Sequence, residues 1–258
     1  MKNQLKEKML AGKKTVGTFF ESGSTITAEC LALGGLDYII IDTEHGPFET
    51  ESVMEYVCAC DRRGTTPLVR VKDKQRSSIL KSLDVGAMGL IIPDINSREE
   101  VLEIIRYGKY FPRGERGVAY GRGSGYGYAH LQPIEDYFAE CNRETMLIPQ
   151  CETIGCLEDI ESIAAVDGVD GIFIGPFDLS TALGIPGQFE APQMVDAIDR
   201  ILRACKAAGK FAMIYADNGT KARELFEQGF DSAAVNMDTI LLIRCMQEMR
   251  KEALGEEK

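Results

Sequence analysis

Short runs of apolar, often β-branched residues alternate along this chain with longer stretches in which apolar positions recur every three or four residues. Eight runs stand out: Thr15–Phe19, Asp37–Ile41, Pro67–Val71, Gly89–Pro93, Met146–Gln150, Gly171–Ile174, Phe211–Tyr215 and Ser232–Val235. Each is nearly continuous in hydrophobicity, the pattern of a strand buried on both faces of a parallel sheet. Between them the spacing predicts helices over Thr50–Arg63, Gln75–Asp84, Ser97–Tyr107, Cys156–Ala165, Ala191–Ala208, Thr220–Gln228 and Asp238–Leu254. Ser97 is placed as an N-cap, with Glu100 at the capping-box position three residues on. Gly64, Gly86, Gly168, Gly209 and Gly229 fall just beyond helix ends, where C-cap glycines belong.

A strand followed by a helix, repeated without a break in composition, predicts an α/β chain in which residues 1–258 form a single (β/α)8 TIM barrel. The length of 258 residues is that of one such barrel. The competing architecture is a doubly wound open sheet, which usually places a Gly-rich phosphate loop after its first strand. Here that position reads Gly17-Thr18-Phe19-Phe20-Glu21-Ser22-Gly23 and fits neither the dinucleotide fingerprint nor a P-loop. The connection from Asn96 to Thr145 is longer than one βα unit needs and contains Gly121-Arg122-Gly123-Ser124-Gly125-Tyr126-Gly127. It reads equally as a functional lid or as a surface excursion.

The formal net charge is −11, and the basic residues are scattered, which argues against nucleic-acid or membrane-surface binding. No apolar run approaches the length of a membrane span. Met1–Leu10 is charged and lacks the apolar core of a signal peptide, so the cytoplasm is the expected location. The eight cysteines, Cys30, Cys58, Cys60, Cys141, Cys151, Cys156, Cys205 and Cys245, are expected as reduced and mostly buried thiols. Two histidines and no second Cys pair at the right spacing argue against a Cys/His zinc site.

In a barrel, catalytic residues project from the C-terminal ends of strands. The polar groups that collect there are Asp42-Thr43-Glu44-His45, Arg70, Asp94, Gln150 and Glu152, Asp178, Asp217, Asn236 and Asp238. Glu152 and Asp178 follow adjacent strands at similar depth. Two carboxylates in a poorly solvated site repel unless a cation lies between them. Oxygen ligands completed by substrate and water suit Mg²⁺ or Mn²⁺. The competing reading has Asp178 capping a helix over Leu179–Leu183 and Glu152 paired with an arginine. Gln150 and Glu152, two apart on a strand, point the same way, and Cys151 points oppositely. Arg70 is either the cation that holds an oxo or enolate oxygen or one half of a salt bridge to Asp42 or Glu44. His45 is a candidate base near neutral pH, oriented by Asp42 or by Asp84 reaching in from a neighbouring subunit. His130 is assigned to the surface. Backbone N–H groups along Gly175-Pro176-Phe177-Asp178, where a strand turns into a helix, can hold a carboxylate. No lysine sits where an imine mechanism would need one: Lys210 lies at the wrong end of its strand, and Lys72 lies in a solvated run.

These residues carry a resemblance. Asp37-Tyr38-Ile39-Ile40-Ile41-Asp42-Thr43-Glu44-His45-Gly46, Pro67-Leu68-Val69-Arg70-Val71 and Leu83-Asp84-Val85-Gly86-Ala87 resemble segments of the HpcH/HpaI aldolase family. So do Pro149-Gln150-Cys151-Glu152-Thr153 and Gly168–Ser180, and the likeness runs from about Gly17 to Asn236. The resemblance implies a barrel of the phosphoenolpyruvate/pyruvate type and a class II aldolase. Such an enzyme cleaves a 4-hydroxy-2-oxo acid to pyruvate and an aldehyde through a metal-stabilised enolate. By the same resemblance Glu152 and Asp178 bind a divalent ion (Mg²⁺, Mn²⁺ or Co²⁺), and Arg70 steadies the pyruvate oxygen. His45 acts as base, supported by Asp42 or Asp84. Gln150, Gly175, Pro176 and Phe177 line the substrate. The resemblance also implies a homo-oligomer, often a hexamer built from dimers that exchange C-terminal helices, which here would be residues 238–254. The loop after Arg116-Gly117 departs from the family pattern in being shorter, with Arg122-Gly123-Ser124 near the segment expected to contact the aldehyde. The alternatives are a related lyase or mutase acting on a phosphoenolpyruvate-like or acyl-CoA substrate, and a non-catalytic sensor of 2-oxo acids.

Overall fold

A computed structural model describes residues 2–128 and 133–255, so His130 lies outside the described residues. The strands are β1 (Thr15–Phe20), β2 (Tyr38–Asp42), β3 (Thr66–Arg70), β4 (Gly89–Ile92), β5 (Met146–Cys151), β6 (Gly171–Ile174), β7 (Phe211–Ala216) and β8 (Ser232–Met237). They pair in parallel in sequence order, and β8 closes back on β1. The expected (β/α)8 barrel is therefore the observed one, with each strand end within two residues of the sequence reading.

The helices are α1 (Gln4–Leu10), α2 (Thr25–Leu33), α3 (Thr50–Arg63), α4 (Arg76–Asp84), α5 (Arg98–Gly108), α6 (Ile134–Glu144), α7 (Ile154–Glu158), α8 (Ile160–Ala164), α9 (Pro176–Ala182), α10 (Pro192–Ala208), α11 (Gly219–Gln228) and α12 (Asp238–Leu254). A 3-10 turn occupies Arg122–Gly127. The helix expected over Cys156–Ala165 is two short helices, because Asp159 between them leaves helical geometry (φ −106°, ψ 15°). At α5, Ser97 accepts from the Glu100 N–H at 3.3 Å as the capping box requires. The Glu100 carboxylate instead receives the N–H of Asn96, one residue before the cap. Gly64, Gly209 and Gly229 close α3, α10 and α11 in the left-handed conformation. Among the described residues no helix is long and apolar enough to cross a membrane.

Alternation along the strands separates two apolar layers. Phe19, Tyr38, Ile40, Leu68, Ile91, Met146, Ile148, Phe173 and Met213 fill the barrel interior. Their odd-numbered or even-numbered neighbours, such as Ile39, Ile41, Val69, Leu147, Cys151 and Ile172, pack outward against the helices. Helix α1, which reads in the sequence as a charged tail, closes the N-terminal end of the barrel. Leu5 and Met9 join the interior layer. Asn3 caps α1 by accepting from the Lys6 N–H at 3.0 Å, and its amide donates to the carbonyls of Met88 and Glu144. The barrel is thus sealed below, and only its C-terminal end is open to chemistry.

Candidate active site at the barrel mouth

The same alternation aims the polar strand ends. Tyr38 and Ile40 face the interior, so Asp42, two residues on, faces the mouth. Leu68 places Arg70 likewise, and Ile148 places Gln150. Asp42 and Arg70 are direct register partners across β2 and β3. The guanidinium grips the carboxylate with two bonds, Nε to Oδ1 at 2.9 Å and Nη2 to Oδ2 at 2.6 Å. Asp42 has no exposed surface and Arg70 only 6%. Arg70 Nη1 also lies 3.3 Å from Glu44 Oε2, and the guanidinium stacks 4.8 Å from the centre of the Phe19 ring. Both ion pairs weighed for Arg70 are formed. They fix its planar fork at the mouth rather than removing it from there.

Asp42 does not orient the ring of His45. Its Oδ1 accepts from the backbone N–H groups of Glu44 and, at 3.5 Å, His45, and both its oxygens are taken by Arg70. The carboxylate near the imidazole is Glu44, whose Oε2 stands 4.0 Å from His45 Nε2. The sequence offers Glu44 only as a possible salt-bridge partner. It is half-buried, and burial raises its pKa against the opposing pull of Arg70 and His45. The His45 side chain is 66% exposed on the strand-end loop, so a proton it carries can pass to solvent.

Asp84 is far from its own mouth. It is the last residue of α4, which runs antiparallel to the strands and ends at the opposite face. There it takes a 2.9 Å bond from buried Arg116. Arg122 lies at that same end, donating to Asp61, Cys58 and the Val85 carbonyl. A cavity of about 380 Å³, lined by Thr66, Gly86, Met88 and Arg122 among others, opens beside them and contains none of the mouth carboxylates.

Glu152 follows β5 and is 8% exposed. Its Oε1 accepts from the Asp94 N–H at 2.8 Å, and its Oε2 accepts from Gln150 Nε2. Asp94 reaches that position with φ at +54°, a left-handed conformation unfavourable for a residue with a side chain and common at functional sites. Burial, reinforced by the charges of Glu44 and Asp178, pushes the Glu152 carboxyl up to about 7 despite the two donors. Gly175 makes this packing possible: a Cβ there would stand 2.8 Å from Gln150 Nε2 and 2.9 Å from Glu152 Oε2. Asp178 is not an N-cap, because α9 begins at Pro176 with Gly175 as its cap. Its carboxylate lies in the first turn, exposed to the mouth and close enough to raise Glu152. Pro176 opens α9, and Phe177 is 54% exposed on the rim.

The donor set fits a hard divalent cation. It offers carboxylate oxygens and no thiol: Cys151 packs outward in the helix layer, as alternation requires. A carboxyl held near pH 7 by burial and two like charges is the group a cation would return to its charged form. Among the described residues no three His, Cys, Asp or Glu side chains converge as a ready-made cage. Glu152 and Asp178 would therefore supply two ligands, leaving the rest to substrate oxygens and water. Of the cysteines, all eight are free; Cys60, Cys141, Cys151, Cys156 and Cys205 are buried, whereas Cys30 and Cys245 are exposed.

A buried Arg–Asp pair and a carboxylate pair around the open end of a closed parallel barrel define a barrel-enzyme mouth. The chain belongs to the HpcH/HpaI aldolase/citrate lyase family, whose sequence profile matches residues 15–245. It is 34% identical over 246 residues to the 2-keto-3-deoxy-L-rhamnonate aldolase of Klebsiella pneumoniae subsp. pneumoniae, covering 95% of this chain and 91% of that one. It is 33% identical over 260 residues to the 4-hydroxy-2-oxo-heptane-1,7-dioate aldolase of Salmonella paratyphi B, covering 100% and 97%. A solved HpcH/HpaI aldolase/citrate lyase family protein from Burkholderia cenocepacia superposes with a TM-score of 0.91 at 30% identity, over 97% of this chain and 99% of that one. The family is one of enzymes, its relatives named here are aldolases and hence lyases, and HpcH/HpaI aldolases generally depend on a divalent metal.

Proposed function

We propose that the chain is a metal-dependent aldolase that cleaves a 4-hydroxy-2-oxo acid to pyruvate and an aldehyde, and runs the reverse addition. One observation carries this reading: the fixed Arg70 fork and the Glu152–Asp178 carboxylates occupy the same mouth, a cation beside a cation-binding pair. Arg70 has the charge and rigidity to hold the 2-oxo oxygen as it becomes an enolate oxygen. His45 takes the proton of the 4-hydroxyl, directly or through water. The bond between C3 and C4 then breaks, the aldehyde leaves, and its electron pair stays on the three-carbon fragment as the enolate. Protonation of that carbon gives pyruvate. In the addition, the methyl proton leaves first, the carbon bonds to the aldehyde carbon, and the aldehyde oxygen takes up a proton. A divalent ion held by Glu152 and Asp178 would act as a Lewis acid on the developing charge, a contribution of several kcal/mol. Gln150 and the backbone of Gly175, Pro176 and Phe177 form the wall on which the substrate carboxylate is oriented.

The working form is a homo-oligomer in this reading. Beyond its first turn α12 leaves its own barrel, and Leu242, Ile243, Met246 and Met249 stay exposed along it. A second copy that accepts this helix would cover them, and Asp84, held by Arg116 at the far end of its own barrel, would act at a neighbour's mouth. Free cysteines suit a reducing compartment, and the cytoplasm is the proposed location.

The test follows deuterium entering the methyl group of pyruvate by NMR, with protein stripped by chelator and reloaded with Mg²⁺, Mn²⁺ or Co²⁺. Exchange that requires metal and vanishes in Glu152→Ala is expected. Folded protein that exchanges with none of the three ions contradicts the proposal.

A further inference from the structure

A file of aromatic rings leads outward from Arg70. The guanidinium stacks on Phe19, Phe19 lies 6.3 Å from Tyr215, Tyr215 lies 5.9 Å from Phe177, and Phe177 meets Phe189 edge-on at 4.8 Å. The file starts in the barrel interior, where Phe19 is 4% exposed, and ends in solvent, where Phe177 and Phe189 are 54% and 38% exposed. Phe177 immediately precedes Asp178, so the outer rings flank the carboxylate proposed to hold the metal. Faces of two rings left in water beside a reaction centre are a surface on which an apolar group gains dispersion and loses water.

The charges around the file select further. Glu190 follows Phe189, and Asp217 lies two residues beyond Tyr215. Arg70 is engaged by Asp42 and Glu44, and Arg244 by the carbonyl and carboxylate of Asp217. A substrate chain that ends in a carboxylate would meet these acids along the outer rings, with Arg244 already committed to Asp217 and Arg70 at the inner end facing the enolate.

We propose that Tyr215, Phe177 and Phe189 form the acceptor subsite, and that it takes aldehydes with an uncharged, apolar substituent in preference to carboxylate-bearing ones. This rests on the aldolase reading above. The substituent lies along the rings, and the aldehyde carbon is presented to the enolate at the Arg70 end.

The experiment compares two aldehydes of similar length, pentanal and 4-oxobutanoate, as acceptors for pyruvate with the Mg²⁺-loaded protein. The readout is the ratio of their kcat/KM values. Deuterium exchange into pyruvate without acceptor is measured on each protein to report the donor half alone. Pentanal is expected to be favoured by about tenfold or more, the discrimination that an apolar pocket gives for small apolar groups. Phe177→Ala and Phe189→Ala should each lower that ratio several-fold. Both rings sit on the rim, so neither variant removes core packing. Exchange in the wild type together with a preference for 4-oxobutanoate, or a ratio unmoved in both variants, overturns the subsite and leaves the aldolase reading standing. No exchange in the wild type overturns the aldolase reading and the subsite with it.

Discussion

Adding one methyl group at Gly175 tests whether the packing of the mouth carboxylates matters to the chemistry. The backbone there, φ −94° and ψ 92°, is open to any residue, so alanine brings no conformational strain. Its effect is steric alone. The new Cβ would stand 2.8 Å from Gln150 Nε2 and 2.9 Å from Glu152 Oε2, more than half an ångström inside the ~3.5 Å of comfortable heavy-atom contact. If both side chains hold, the overpacking costs about 1–3 kcal/mol, which at roughly 2–4 °C per kcal/mol lowers Tm by several degrees. If they swing aside, stability is largely kept and the Glu152 oxygens move from the position set by Asp94. A displacement approaching 1 Å can cost about 100-fold in turnover. The assay is therefore paired: thermal unfolding of the metal-free protein, and Mn²⁺ titration followed by pyruvate deuterium exchange. Loss in either measurement agrees with the geometry, and their balance tells which side chain yields. Wild-type Tm, Mn²⁺ affinity and exchange rate together would refute the argument that Gly175 is kept clear for Glu152.

Two further outcomes follow from the same geometry. Asp42→Asn removes one charge from a buried, doubly bonded pair and should destabilise by about 3–5 kcal/mol in urea unfolding, with Arg70→Met in the same chain recovering part of the loss. For Glu152 the folded carboxyl is raised, so the folded state binds more protons than the unfolded one between the ordinary 4.5 and about 7. Its contribution is therefore complete below pH 4.5 and is lost as pH rises through about 7, a fall of about 3 kcal/mol in metal-free protein. Glu152→Gln should flatten that part of the stability–pH curve; an unchanged slope would assign it to Glu21 and Glu44, whose carboxyls burial also raises.

The barrel could be read from the sequence because each strand is buried on both faces and leaves an unbroken apolar run. Two of the helices that escaped notice lack an apolar stripe of ordinary width. Of the seven residues of α1, only Leu5 and Met9 are buried, and its N-cap, Asn3, precedes a run of charges. In α2, Ile26 and Leu33, seven residues apart, share an exposed side, Leu31 lies away from them, and only Ala28 is buried. Strand-end position brought Arg70, Gln150, Glu152 and Asp178 into view, and for the two on strands, Arg70 and Gln150, alternation also fixes that they face the mouth. It offered the salt bridge between Arg70 and Asp42 but could not choose it over an Asp42 that orients His45, because that depends on the register between β2 and β3. Asp94 stands among the strand-end groups, but what it contributes is a backbone N–H in a left-handed conformation, which its side chain does not announce. The aromatic file joins residues from β1, the α9 region and β7, and only the closed barrel brings them together.

The register pairing of Asp42 with Arg70 also governs how this mouth can change. In the proposed aldolase the same two side chains would hold adjacent strand ends together and supply the cation at the reaction centre, so selection for stability and selection for turnover would fall on one pair. A library that varies either position alone will return mostly unfolded or inactive chains, and one that varies both can recover stability but not the cation. Phe177 and Phe189 carry no such double duty. New substrate ranges are therefore reached most easily along the rim, while the ion pair at the strand ends stays as it is.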